Sequence, residues 1–71
     1  MNTPFLMWYD DKPKTTINTK IADALARFYD RFGVAANVVL VPADSIPQPV
    51  EGLDIRIVST VGRNTVWVGR E

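Results

Sequence analysis

The chain has 71 residues, of which 46% are hydrophobic and 23% charged, and its eight basic and eight acidic side chains give a formal net charge of zero. This size and composition predict one small globular domain over residues 1–71 and exclude a disordered chain. Cysteine and histidine are both absent, which excludes disulfides and thiolate nucleophiles and removes the commonest metal ligand and general base.

The first predicted element is a strand at Pro4–Tyr9, where aromatic and large apolar residues are dense. This apolar start lacks a basic segment and soon meets two aspartates, so we interpret it as a strand and not as a signal peptide. No apolar run approaches the ~20 residues that a membrane span needs. We therefore expect a cytoplasmic protein that does not bind membranes.

A helix is predicted to follow the polar turn at residues 10–14 and to run to about Phe32. Thr15 or Thr16 is the expected N-cap, and Gly33 is the expected left-handed residue after the last turn. Apolar side chains recur along one face at helical spacing. They are Ile17, Ile21, Ala24, Leu25, Phe28 and Phe32.

Three further strands are predicted in the rest of the chain. Asn37–Val41 is a strand with a wholly apolar centre, and Leu53–Thr60 begins with strict alternation of apolar and charged residues. Thr65–Gly69 is the last strand, after a turn at residues 61–64. Residues 42–52 contain three prolines and are predicted to form a loop, in which Ile46 and Val50 are available to anchor it to the core.

The element order β-α-β-β-β predicts an α+β fold with a four-stranded mixed sheet and one helix packed on one face. The first two strands are joined through the helix, so we expect them to be parallel with a right-handed crossover. The last two are expected to form an antiparallel hairpin. The pairing order of the four strands is left open.

The sheet face away from the helix is the strongest functional feature. Alternation directs the apolar residues of the last two strands toward the helix, namely Leu53, Ile55, Ile57, Val66 and Val68. The other face then carries Arg56, Val58 and Trp67. The first strand adds either Leu6 and Trp8 or Phe5, Met7 and Tyr9, and both choices expose large apolar groups.

An exposed apolar patch of this kind usually marks an interface. We predict a non-enzymatic interaction module that forms a homodimer or serves as an accessory subunit of another protein. The interface candidates are Trp8, Arg56, Val58 and Trp67, with the two tryptophans as anchors. The alternative is that the 42–52 loop or the N-terminus folds over this face.

Single-stranded nucleic-acid binding is a second hypothesis, because bases stack on aromatic rings of an open sheet and arginines add charge. The candidate residues are Trp8, Tyr9, Arg56, Arg63, Trp67 and Arg70. The zero net charge argues against it, since phosphate contacts supply much of the affinity of nucleic-acid binders.

A Mg²⁺-dependent phosphoryl-handling site is the third hypothesis. Asp10 and Asp11 follow the first strand and Asp44 follows the second, so parallel neighbouring strands would bring these carboxylates to one sheet edge. A solvated polar turn, partly neutralised by Lys12 and Lys14, is the favoured interpretation of the same residues. We therefore predict no enzymatic activity, no cofactor and no bound metal.

Overall fold

The computed structural model describes residues 5–11 and 15–71. Five elements follow one another in the order β-α-β-β-β: β1 (Leu6–Tyr9), α1 (Ile17–Phe32), β2 (Val38–Val41), β3 (Asp54–Ile57) and β4 (Thr65–Gly69). The strands form one four-stranded mixed sheet, which confirms the predicted α+β class. Pro4, Lys12 and Lys14, which the sequence prediction assigned to the first strand and its turn, lie outside the described residues.

The strand order is β1-β4-β2-β3, with β4 antiparallel to both β1 and β2 and with β2 parallel to β3. Strands β1 and β2 therefore run in the same direction, but β4 lies between them. The predicted β3–β4 hairpin is wrong, because in the described part of the chain β3 pairs with β2 alone.

Residues 58–64 explain this arrangement, since they form two successive turns that carry the chain across the end of β2, in place of one hairpin turn between neighbouring strands. The Val58 amide donates to the Val41 carbonyl oxygen at 2.9 Å, and the Thr65 amide donates to the Gly62 carbonyl oxygen at 3.2 Å. The connection therefore leaves β3 on one side of β2 and begins β4 on the other. Strand β3 is also shorter than predicted, ending at Ile57.

The ends of α1 are set by the residues that the sequence indicates. Thr16 is the N-cap, and its hydroxyl oxygen accepts a hydrogen bond from the Thr19 amide at 3.1 Å. Gly33 adopts φ 73°, and its amide donates to the Tyr29 carbonyl oxygen at 2.8 Å. The described residues contain no helix with the length and apolar character that a membrane crossing requires.

The core lies between α1 and one face of the sheet. The helix packs on β4 and β1 and leaves the β3 side of the same face less covered. Phe28 is fully buried, and its ring centroid lies 4.6 Å from that of Phe32. The buried hydrophobic cluster comprises Ile21, Ala24, Phe28, Val39, Val41, Val66 and Val68.

The 42–52 loop lies on the helix side of the sheet. The Asn18 side chain holds it at Gln48, donating from Nδ2 to the Gln48 carbonyl oxygen at 3.1 Å and accepting from the Gln48 amide at 2.8 Å. The alternative in which this loop covers the opposite face is therefore wrong, because two reciprocal hydrogen bonds attach it to the first turn of α1.

Candidate functional site

The sheet surface away from α1 is built from a row of side chains that runs across all four strands. Met7 is opposite Trp67, Trp67 is opposite Leu40, and Leu40 is opposite Arg56. Tyr9 lies two residues along β1 from Met7 and shares its side of the strand. We call the surface formed by Met7, Tyr9, Leu40, Arg56 and Trp67 the helix-free face.

Trp8 does not belong to the helix-free face, which corrects its selection as an interface anchor. It is opposite Val66 of the core and packs against the buried cluster, as does Leu6. The guanidinium carbon of Arg27 lies 5.3 Å from the centroid of the Trp8 ring, a cation–π arrangement. Alternation could not decide this orientation, because both sides of β1 carry large apolar residues.

One end of the same sheet surface is closed by Phe5. An ideal Cβ built on Gly69 would lie 2.5 Å from Cδ1 of Phe5, so the aromatic ring rests directly on the backbone of β4. Val38, which is opposite Gly69, is only 2% exposed. A glycine within a strand signals such a close approach, and the sequence reasoning missed it.

Arg56 closes the row of the helix-free face through a bidentate clamp. Its guanidinium donates to Asp54 Oδ2 at 2.6 and 2.9 Å and to the two Glu71 carboxylate oxygens at 2.9 and 3.1 Å. Asn37 holds Glu71 in place, because its side-chain oxygen accepts from the Glu71 amide at 2.9 Å. The clamp therefore ties β3 to the end of β4 across β2.

The clamp changes the acidity of Glu71. Hydrogen bonds from Arg56, followed by the attraction between the two charges, hold the pKa of Glu71 below its usual value. A lowered pKa in the folded state means that the clamp stabilises the fold fully above the unfolded pKa of about 4.3 and loses this contribution as pH falls through the folded value.

Replacing Arg56 with glutamine is therefore expected to raise the pKa of Glu71 toward its ordinary value. Arg63→Gln is the matched control, because Arg63 is far more exposed and lies 3.8 Å from Asp44 instead; it should leave the Glu71 titration unchanged. The measurement is an NMR titration of the side-chain carboxyl carbons between pH 2 and 7. Equal Glu71 midpoints in the wild type and in Arg56→Gln would contradict the assignment of the clamp.

The residues proposed for nucleic-acid binding are dispersed. Arg63 pairs loosely with Asp44, and Arg70 donates from Nη1 to the Ala35 carbonyl oxygen at 2.8 Å. Trp8 lies on the helix side. The structure brings together only the remaining three members of the set, which are Tyr9, Arg56 and Trp67.

Even this remaining group offers little to a phosphate backbone. Arg56 is already bound by the carboxylates of Asp54 and Glu71. The two aromatic rings therefore lie beside a neutralised guanidinium and not beside a basic stripe of the kind that tracks nucleic acid. The helix-free face is accordingly an apolar surface with a compensated charge at one end.

The carboxylate hypothesis depended on β1 and β2 being neighbours, and that assumption is wrong. Strand β4 separates Asp10 and Asp11 from Asp44. Asp10 is 6% exposed, and its amide donates to the Asn64 carbonyl oxygen at 2.9 Å. Across residues 5–11 and 15–71, no group of three or more acidic side chains is placed to hold a metal ion.

A second apolar surface lies at the β3 edge on the helix side, and the sequence reasoning missed it. The 42–52 loop and β3 enclose a groove of about 500 Å³. Ile46 is 91% exposed and Ile57 is 58% exposed, and Val50 is also exposed. The idea that Ile46 and Val50 anchor the loop to the core is therefore wrong. We call the surface formed by Ile46, Val50, Ile55 and Ile57 the edge groove.

No protein-family model, curated protein sequence or solved structure matches this chain.

Val58, the last of the interface candidates, is half-buried just beyond β3 and extends the ladder to β2 through its amide. The helix-free face and the edge groove are therefore the two surfaces from which a function can be inferred.

Proposed function

We propose that this protein is a non-enzymatic interaction module that buries its helix-free face against another polypeptide. The observation that supports the proposal is that the first three members of the row, Met7, Trp67 and Leu40, lie across three adjacent strands with no charged side chain between them. Aromatic residues, methionine and arginine are the types enriched at protein interfaces, whereas lysine and the acidic residues are depleted there.

Two aromatic residues and a methionine of the helix-free face have distinct roles in this proposal. Trp67 is central and half-buried, so its indole is oriented by its neighbours before a partner arrives. Met7 is 55% exposed and offers a flexible thioether that adapts to an irregular surface. Tyr9 is 58% exposed at the margin, where its hydroxyl stays hydrated while its ring packs.

The clamp makes Arg56 suitable for an interface. An unpaired charge is costly to desolvate. The Arg56 guanidinium is already bound by two carboxylates, so it stays paired when the surface is buried. Arg56 therefore offers a planar surface at the edge of the apolar row without leaving an orphaned charge.

The size of the helix-free face indicates the strength of the interaction. Four strands about 4.8 Å apart and about four residues long cover a flat area on the order of 250 Å². A standard interface buries about 800 Å² per partner. We therefore expect a transient interaction, with a dissociation constant on the order of micromolar.

The first test places a benzophenone amino acid at Met7 and, as the matched control, at Tyr29. Tyr29 is 61% exposed on α1, so the control samples a surface of equal access. Irradiation in the producing cell is expected to give a discrete polypeptide adduct at position 7 and not at position 29. The adduct contains either a second copy of this chain or a different protein. A nucleic-acid adduct, or equal yields at both positions, would overturn the proposal.

Trp67→Ala tests the same surface quantitatively. We expect at least a tenfold loss of affinity for the crosslinked polypeptide, because truncating a central aromatic anchor typically costs about 1–2 kcal/mol or more. Tyr29→Ala should bind as tightly as the wild type. Circular dichroism checks that both variants keep their fold, since neither residue belongs to the buried cluster. A folded Trp67→Ala variant with unchanged affinity would refute the assignment.

A further inference from the structure

The outer edge of β3 carries backbone groups that no other described segment pairs with. Strand β3 is the last strand of the sheet, next to β2 alone. The Asp54 and Val58 amides donate toward β2, to the Asn37 and Val41 carbonyl oxygens, each at 2.9 Å. Because successive peptide groups in a strand point to opposite sides, the N–H and C=O groups of Ile55 face the open edge.

The side chains of β3 alternate in the same strict way. Ile55 and Ile57 lie toward the edge groove, with Leu53 preceding them on that side, while Asp54 and Arg56 lie on the opposite side. The segment Leu-Asp-Ile-Arg-Ile is therefore apolar on one face, and on the other it carries one acid and one base two residues apart.

This segment is complementary to itself when two copies run antiparallel. With Ile55 opposite Ile55 of the second copy, Asp54 is opposite Arg56 on both sides of the two-fold axis. Leu53 is then opposite Ile57, and because the Leu53 amide already donates to the Val50 carbonyl oxygen at 3.1 Å, it is the Ile57 amide that donates across this pair. The outward Ile55 amide donates to the Ile55 carbonyl oxygen of the other copy, and the bond is reciprocated. We propose that a second copy of this chain docks here, so that the two sheets join edge to edge through β3 into one continuous sheet.

The charges select this register over its neighbours. Centring the pairing on Arg56 would place two arginines opposite each other, and centring it on Asp54 would do the same with two aspartates. Like charges directly opposite are destabilising in antiparallel pairs, whereas opposite charges stabilise them. The zero net charge of the chain adds no long-range repulsion between the copies.

The pairing also gives the exposed side chains of the edge groove a partner. Ile46, Val50 and Ile57 are all exposed in the single chain. In the paired arrangement the two edge grooves adjoin across the axis, because both lie on the helix side of the joined sheet. An exposed apolar edge strand otherwise favours unspecific association. In β3 the alternating charges restrict this association to one partner in one register.

A charge exchange tests the proposal. Asp54→Arg places two arginines opposite each other in the joined edge, and Arg56→Asp does the same with two aspartates. Each variant alone is expected to lower self-association at least tenfold, measured by sedimentation velocity up to about 1 mM. An equimolar mixture of the two variants is expected to restore the dimer, because arginine then faces aspartate at both pairs of positions 54 and 56 across the axis. Wild-type protein that stays monomeric, or a mixture that stays monomeric while both variants are folded, would overturn the proposal.

A disulfide experiment keeps the proposal testable if a charge variant fails to fold. The chain has no cysteine, so Ile55→Cys introduces a single thiol on the two-fold axis. Opposed Cα atoms of a hydrogen-bonded pair lie about 5.5 Å apart, within disulfide range. Ile57→Cys is the control, because Ile57 of one copy is opposite Leu53 of the other. The two residues at position 57 are therefore separated by four residues along the paired strands. Mild oxidation is expected to give a covalent dimer from Ile55→Cys alone, and equal yields would refute the register.

The edge dimer does not depend on Trp67 or on the other apolar residues of the helix-free face. Trp67→Ala should leave sedimentation of the edge dimer unchanged, since the Trp67 side chain lies on β4, two strands away from the edge. A self-association that disappears in Trp67→Ala and persists in the charge variants would assign the contact to the helix-free face instead, and would overturn the edge pairing.

Discussion

Phe28→Ala is expected to lower the free energy of unfolding by about 3–5 kcal/mol, which is the usual cost of emptying a fully buried phenylalanine site. Phe28 has no exposed surface and lies in the buried cluster between α1 and the sheet. A domain of this length has a total stability of only about 4–11 kcal/mol. The variant is therefore expected to lose a large part of the total stability of the domain.

Tyr29→Ala is the matched control for this prediction, because it removes an aromatic ring at the next helical position, where the side chain is 61% exposed. It should change the unfolding free energy by less than about 0.5 kcal/mol. Urea denaturation followed by circular dichroism at 222 nm measures both variants. Similar midpoints for Phe28→Ala and Tyr29→Ala would show that the core does not lie where the structure places it.

Asn64→Ala is expected to cost about 2–3 kcal/mol, a large effect for a residue in a connecting segment. Asn64 has φ 62°, in the left-handed region that asparagine tolerates and alanine does not. Its Oδ1 accepts a hydrogen bond at 3.0 Å from Nζ of Lys20, which is only 8% exposed. Alanine would therefore combine backbone strain with a buried ammonium that has lost its acceptor.

Two further substitutions at position 64 separate these causes. Asn64→Gly keeps the backbone conformation but removes the acceptor, so we expect a smaller loss of about 1–2 kcal/mol. Asn64→Asp keeps both the acceptor and the tolerance for positive φ, and we expect stability close to that of the wild type. Thermal and urea unfolding give the ranking. Equal losses for glycine and alanine would show that the backbone conformation contributes nothing.

Lys20→Met provides an independent check on the hydrogen bond. A methionine retains the aliphatic stem and leaves no charge to be satisfied. In this background Asn64→Gly should cost less than it does beside Lys20, and the difference in a double-mutant cycle measures the coupling. Identical costs in both backgrounds would mean that the contact contributes nothing to stability.

The helix and the last strand were predictable from local pattern. Thr16 caps α1 and Gly33 ends it, as their residue types indicate, and β4 spans the predicted Thr65–Gly69. These features depend on the side-chain period of a helix or strand and on the conformational preferences of single residues. Both are determined by residues that are close together in the chain. The α+β class follows from the same local signals taken in order.

Strand pairing was not predictable, and the errors about the functional surface follow from it. Because β4 lies between β1 and β2, the three aspartates do not meet and the expected hairpin does not form. The side of β1 that faces the core was equally undetermined, and Trp8 was assigned to the wrong face.

The physical reason is that side-chain periodicity is a local property of the chain, whereas strand pairing depends on segments that are far apart in sequence. Periodicity identifies an apolar side of a strand only when the other side is polar, as in β3, and both sides of β1 are apolar. Which strand a given strand pairs with depends on how the connections and the helix bury the most apolar surface together. That balance belongs to the assembled chain, and it decides which sheet face and which strand edge the described residues leave uncovered.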